Sequence, residues 1–127
     1  MLSGPTVAKD KNLIKGLLEN FLVLKNHDNS HIETVLHSHA VDLVLIEVLP
    51  GDPNEIEQIR KIRAIWQDLA IILVNGTSRD LIARAFEYGI RDAFKGPYKA
   101  DLLVDRAKAV IAKSGDSNLK GRPFENQ

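Results

Sequence analysis

The sequence contains no cysteine. That excludes a disulfide frame and any thiolate metal site, and it agrees with a reducing compartment. Net charge is missing as well, because 17 basic residues balance 17 acidic ones, so no whole-domain field draws the chain to nucleic acid or anionic lipid. No apolar run approaches the roughly 20 residues of a membrane-spanning helix. The opening Met-Leu-Ser-Gly-Pro lacks the charged start and long apolar stretch of a secretory signal. These absences set the expectation of a cytoplasmic protein with no direct nucleic-acid or membrane binding. Phosphate cradles are absent too: neither G-x-x-x-x-G-K-[ST] nor G-x-G-x-x-G occurs.

What is present is an alternation of two kinds of segment. Phe21 to Leu24, Leu43 to Ile46 and Ala70 to Val74 are short runs of Val, Ile and Leu, the pattern of strands buried on both faces. Helical patterns lie between them. Ser30-His-Ile-Glu33 has the form of a capping box opening a helix with Ile32, Val35 and Leu36 on one face. Asn54 is placed to cap the next helix, with Ile56, Ile59 and Ile62 inward. Thr77 or Ser78 starts a helix ending at Tyr88, with Gly89 in the left-handed closing position. A short strand around Ala93 and Phe94 precedes a last helix from about Lys99 to Lys113, whose stripe is Leu103, Ala107, Val110 and Ile111.

A helix from about Asp10 to Glu19 and a short first strand from Pro5 to Ala8 complete five strand-helix units. The expected fold is therefore α/β, a flavodoxin-like (βα)5 three-layer sandwich with parallel sheet order 2-1-3-4-5. The first strand is its weak point, since Gly4-Pro-Thr-Val-Ala8 offers little apolar length and Pro5 cannot donate to a ladder. Residues 1–113 form one domain in this reading. Residues 114–127, punctuated by Gly115, Ser117, Gly121 and Pro123, read as a linker or tail toward an output domain in a parent protein.

In such a sheet, chemistry collects at the carboxyl ends of the strands. Asp42 to Pro50, the helix Ile59-Arg-Lys-Ile-Arg63, Gly89-Ile-Arg-Asp92 and Pro97-Tyr98 are the landmarks there. On these residues the chain, from about Thr6 to Lys113, resembles the CheY-like receiver domain of bacterial two-component response regulators. The resemblance implies a phosphorelay switch in which an Asp at the tip of the third strand takes a phosphoryl group from a histidine kinase. In this sequence that position is Glu47. Its extra methylene shifts the carboxylate by roughly 1.5 Å, and in-line transfer depends on positioning.

The other positions implied by the resemblance depart as well. The adjacent acids that hold Mg²⁺ are matched to Lys9 and Asp10, and an ammonium repels a divalent cation. The switch Ser or Thr is matched to Val74, the aromatic switch to Ala93, and the site lysine to Gly96, with Lys95 one residue early and turned to the other face by strand alternation unless the backbone bulges. The expectation is a pseudo-receiver: a non-enzymatic protein-interaction module of signal transduction, without phosphotransfer and without cofactor. Two readings of Glu47 stay open, a fixed charge imitating phosphorylation, or a side chain that pairs with Lys9 or caps a strand end in water. The alternative is a phosphorylatable receiver that uses Mg²⁺ and an unusual acceptor; Asp52, just beyond Glu47, is geometrically conceivable, whereas Asp42 lies at the opposite end of the strand.

The resemblance implies a partner or self-association face on the fourth helix, fifth strand and fifth helix. Here it presents Arg84, Glu87, Tyr88, Arg91, Leu102, Asp105 and Arg106, and mixed charge suits a two-fold contact. His27, His31, His37 and His39 cluster in the sequence, but their spacing turns them different ways, so no metal site is expected. Flavin is disfavoured because the turn from Ala8 to Lys11 has no Ser, Thr or Gly run to wrap a phosphate. Cobalamin is disfavoured because His27 to His31 does not supply a D-x-H-x-x-G signature.

Overall fold

The computed structural model describes residues 1–49, 55–76 and 78–121. Among them the chain forms β1 (Leu2–Ser3), α1 (Lys11–Leu18), β2 (Lys25–Asn26), α2 (Ile32–Ser38), β3 (Leu43–Glu47), α3 (Glu55–Ile65), β4 (Ala70–Gly76), α4 (Arg79–Glu87), β5 (Asp92–Lys95) and α5 (Ala100–Gly121). The five strands are parallel in the order β2-β1-β3-β4-β5, the flavodoxin-like arrangement that the alternation of segments implies.

Two apolar layers sandwich the sheet. On one side Leu2, Leu43, Leu45, Ile72 and Val74 pack on Leu13 and Leu17 of α1 and Leu103 and Ala107 of α5. On the other, Val44, Ile46, Ile71 and Leu73 pack on Ile32 and Leu36 of α2, Ile59 and Ile62 of α3, and Ala85 of α4. This division follows from strand alternation, odd and even positions of β3 going to opposite layers. Gly16 lets α1 approach α5 closely, since a Cβ there would stand 2.8 Å from Val104 Cγ2.

Several local expectations are corrected. The first strand lies at Leu2–Ser3, ahead of the expected Pro5–Ala8, because Gly4 turns the chain at φ +140° and residues Val7–Lys9 coil into a 3-10 turn. The second strand sits at Lys25–Asn26, past the apolar run from Phe21 to Leu24. The Ser30 capping box does not form; Asp28 instead accepts from Ser30 N and opens a 3-10 turn leading into α2. Ser78 caps α4 by accepting from Leu81 N, and Gly89 takes φ +75°. The final helix runs on past Lys113 to Gly121. Asn54 and Thr77, two of the expected caps, lie outside the described residues.

Candidate functional site

The carboxyl ends of β1 and β3 meet at Glu47. This residue belongs to the α1 and α5 side of β3, in register with Val74 of β4, and it is only 4% exposed. A buried carboxylate requires donors. The donors come from the backbone after β1: Thr6 N and Val7 N both donate to Glu47 Oε1, at 2.8 and 3.0 Å. Successive N–H groups at the start of a helical turn form a concave anion-binding nest, and the chain fills that nest with its own side chain.

Gly4 makes the fit possible. A Cβ on Gly4 would overlap Glu47 Cβ and stand 2.6 Å from Glu47 Oε1. The longer Glu side chain thus occupies the space that a side chain at the tip of β1 would need.

Below the carboxylate lies a buried polar network. Asn26 Nδ2 donates to Ser3 Oγ at 3.0 Å, Ser3 Oγ donates to Asn29 Oδ1, and Asn29 Nδ2 donates to the Glu47 carbonyl at 2.9 Å. Gln58 Nε2 of α3 donates to the Asn29 carbonyl. Ser3, Asn26 and Asn29 are all buried, so the tips of β1, β2 and β3 are pinned by hydrogen bonds that hold each group in one place.

Lys9 and Asp10 do not stand at the tip of β1. That position belongs to Gly4, and Lys9 and Asp10 lie beyond it, at the end of the 3-10 turn. Lys9 is exposed and forms no ion pair with Glu47 among the described residues. Asp10 caps α1, its Oδ1 accepting from Leu13 N at 3.0 Å, while Oδ2 accepts from Tyr98 Oη at 2.5 Å. This bond ties the loop after β5 to the loop over Glu47. Burial, the Asp10 bond and the charges of Asp10 and Glu47 hold the Tyr98 phenol well above its ordinary range.

The expected switch residues are also distributed by alternation. Val74 is fully buried in the α1 and α5 layer, and the next residue, Asn75, is half-buried in the left-handed region at φ 62°, at the register shift between Val74 and Gly76. Ala93 packs on the opposite layer. Lys95 is exposed, and Gly96 takes φ 77°. Phe94 packs on the Glu47 side of the sheet, so Lys95 faces away from the carboxylate, as alternation requires. Asp52 lies outside the described residues.

On the α4, β5 and α5 face, Arg84, Glu87, Arg91, Leu102 and Asp105 are exposed. Arg106 Nε pairs with Asp92 Oδ2 at 2.7 Å. Tyr88 is less free than an anchor requires, because its ring packs on the core and its carbonyl accepts from Arg63 Nε at 2.7 Å. The Arg63 guanidinium also donates to the carbonyls of Trp66, Gln67, Leu69 and Gly89, closing the end of α3 against the turn after α4. The four histidines are exposed, with the His37 ring tilted at 56° against Trp66 at a centroid distance of 4.8 Å.

Sequence reasoning missed Ser3, Gly4, Asn26 and Asn29 as structural determinants of this end, and had Tyr98 as a landmark without its bond to Asp10. Of the four, only Gly4 carried a signal, as a glycine directly after a short apolar start and before a proline.

No family model matches the chain. Among curated proteins it is similar to the hydrogenase transcriptional regulatory protein HoxA of Bradyrhizobium diazoefficiens, 25% identical over 107 residues that cover 83% of this chain. The match spans 22% of that relative's length. Among solved structures it superposes on a response regulator from Thermotoga maritima with TM-score 0.76 and 24% identity, covering 88% of this chain and 95% of that one. An orphan response regulator of H. pylori gives TM-score 0.75 and 20% identity, covering 87% and 92%. The receiver domain of NtrX from Brucella abortus gives 0.73 and 17%, covering 87% and 96%. The chain has the receiver-domain fold. Within that receiver fold the tip of β3 carries a buried glutamate already bonded to the chain's own backbone.

Proposed function

We propose that the chain is a pseudo-receiver, a receiver fold that serves signal transduction as a non-enzymatic protein-interaction module without phosphotransfer or bound Mg²⁺. The observation that carries this reading is the enclosure of Glu47, whose carboxylate is buried and accepts from Thr6 and Val7 N–H. A nucleophilic carboxylate must be free to attack, and a metal that neutralises the developing charge must reach it. Lys9 is exposed and Asp10 is used as a helix cap and as the acceptor of Tyr98, which supports the absence of an acid pair for a cation. The reading of Glu47 as a phosphoryl mimic is disfavoured, because its oxygen is bonded by backbone rather than by a switch hydroxyl or lysine.

In this reading association is constitutive, since an equilibrium moves only when something binds its two states differently. The α4, β5 and α5 face is the proposed contact, with Leu102, 52% exposed, as apolar anchor and Arg84, Glu87, Arg91 and Asp105 as its charged rim. HoxA and a probable two-component response regulator with a GGDEF domain extend well beyond the region matched here, which covers 22% and 49% of their lengths. Their length supports an output domain in a parent protein.

Incubation with Mg²⁺ and acetyl phosphate tests the reading. The intact mass stays unchanged if it is right. A stable gain of one phosphoryl group, lost in Asp52→Asn, establishes the phosphorylatable alternative instead.

A further inference from the structure

β2 is an outer strand of the sheet, bonded on its inner side to β1 and on its outer side to nothing among the described residues. Leu24 O accepts from Leu2 N at 2.8 Å and Asn26 O from Gly4 N at 2.9 Å. Successive residues of a strand turn their N–H and C=O groups to opposite edges, so Val23 and Lys25 turn theirs outward. An edge of this kind is a template for another strand. Its flank is apolar. Phe21-Leu-Val-Leu24 leads into β2, Leu22 is 99% exposed, and Leu18, at the end of α1, is 56% exposed.

Glu19 and Lys25 bracket this run, both exposed and neither in an ion pair among the described residues. Glu19 is also the C-cap of α1, a place where the helix dipole disfavours an anion and favours a cation. An acid, an apolar run and a base in that order are self-complementary: turned antiparallel on a copy of itself, the run brings each base toward the other copy's acid. A two-fold contact requires a surface that complements itself in this way.

We propose that the outer edge of β2 joins a second copy of this chain, the two segments running antiparallel about a two-fold axis at Val23. Val23 then exchanges backbone hydrogen bonds with Val23 of the second copy, Leu22 stands opposite its Leu24, and Lys25 reaches the end of its α1 beside Glu19. The chain has no net charge, so no long-range repulsion keeps two copies apart. β2 and β5 are opposite edges of the sheet, and this contact does not rest on the one proposed for the α4, β5 and α5 face.

Sedimentation equilibrium over a range of concentrations tests it. The wild type forms a dimer, and Leu22→Asp weakens that dimer by about tenfold while the dilute protein melts as before, because Leu22 stands outside the fold. Lys25→Glu and Glu19→Lys each weaken association, and the two together restore it. The absence of cysteine allows a geometric readout. Opposite residues of a non-hydrogen-bonded antiparallel pair stand about 4.5 Å apart at Cα, within disulfide reach, so oxidation of Leu22→Cys combined with Leu24→Cys links two copies far faster than oxidation of Leu22→Cys alone. A wild type that is monomeric at every concentration, charge reversals whose losses add, or equal cross-linking of the single and double variants overturns the proposal. So does a dimer that is lost in Leu102→Asp and kept in Leu22→Asp, which assigns association to the α4, β5 and α5 face instead.

Discussion

The two ends of the sheet are opposites. At the carboxyl ends, Glu47, Ser3, Asn26 and Asn29 are buried and hydrogen-bonded to one another or to backbone. At the amino ends an apolar cavity stays open beside Leu22, which is 99% exposed. In an open parallel sheet the carboxyl ends are where ligands bind, and among the described residues the tips of β1, β2 and β3 are occupied by the chain's own hydrogen-bonded side chains. The difference teaches that a buried carboxylate at a strand tip can be satisfied by the backbone N–H groups of the neighbouring loop, while the opposite end of the same sheet leaves apolar surface uncovered.

The largest expected effect is at Gly4. Gly4→Val forces a branched Cβ against Glu47 at a φ of +140° and should cost about 3 kcal/mol from overpacking and backbone strain together. Urea unfolding measures it. Combining the change with Glu47→Gly, which removes the Cβ and the carboxylate that the new side chain meets, should relieve the steric share and leave the strain, so the two losses must not add.

Glu47→Ala on its own leaves Thr6 and Val7 N–H without their acceptor and should cost about 2 kcal/mol. Glu47→Gln keeps an acceptor oxygen and should cost less than half of that. Equal costs for Ala and Gln would mean that the two hydrogen bonds contribute little and that packing alone holds the loop.

A smaller loss, about 1 kcal/mol, is expected for Tyr98→Phe, which unties Asp10 from the loop after β5. Its pH dependence has a definite sign. The phenol is raised in the folded state, so its contribution is present below the unfolded value near 10 and is lost as pH rises through the folded one. The stability gap between wild type and Tyr98→Phe should therefore narrow above about pH 10. A gap that widens would contradict the bond to Asp10. At the open end, Leu22→Ser should change stability by no more than about 0.5 kcal/mol; a loss as large as that of Glu47→Ala would erase the contrast between the ends.

The layers were legible in the sequence because Leu43 to Ile46 and Ala70 to Val74 are continuous apolar runs, and because Ile56, Ile59 and Ile62 repeat at helical spacing. Glu47 was legible as the strand tip for the same reason. The first strand was not, since two residues carry no periodicity and the Gly-Pro that follows resembles a strand's margin from either side. Matching Lys9 and Asp10 to the tip of β1 inherited that error. The nest over Glu47 had no residue signature at all, because Thr6 and Val7 contribute backbone N–H groups, which every residue except proline possesses. Alternation alone does not show the shift in register between Val74 and Gly76, where Asn75 takes the left-handed conformation.

Amide hydrogen exchange at Thr6 and Val7 reads the closed end most directly. If Glu47 holds both N–H groups, they exchange far more slowly in the wild type than in Glu47→Ala, and Mg²⁺ with acetyl phosphate leaves their rates unchanged. Unprotected exchange at both positions in the wild type, or protection lost on adding the phosphodonor, would show that the site is open and contradict the account.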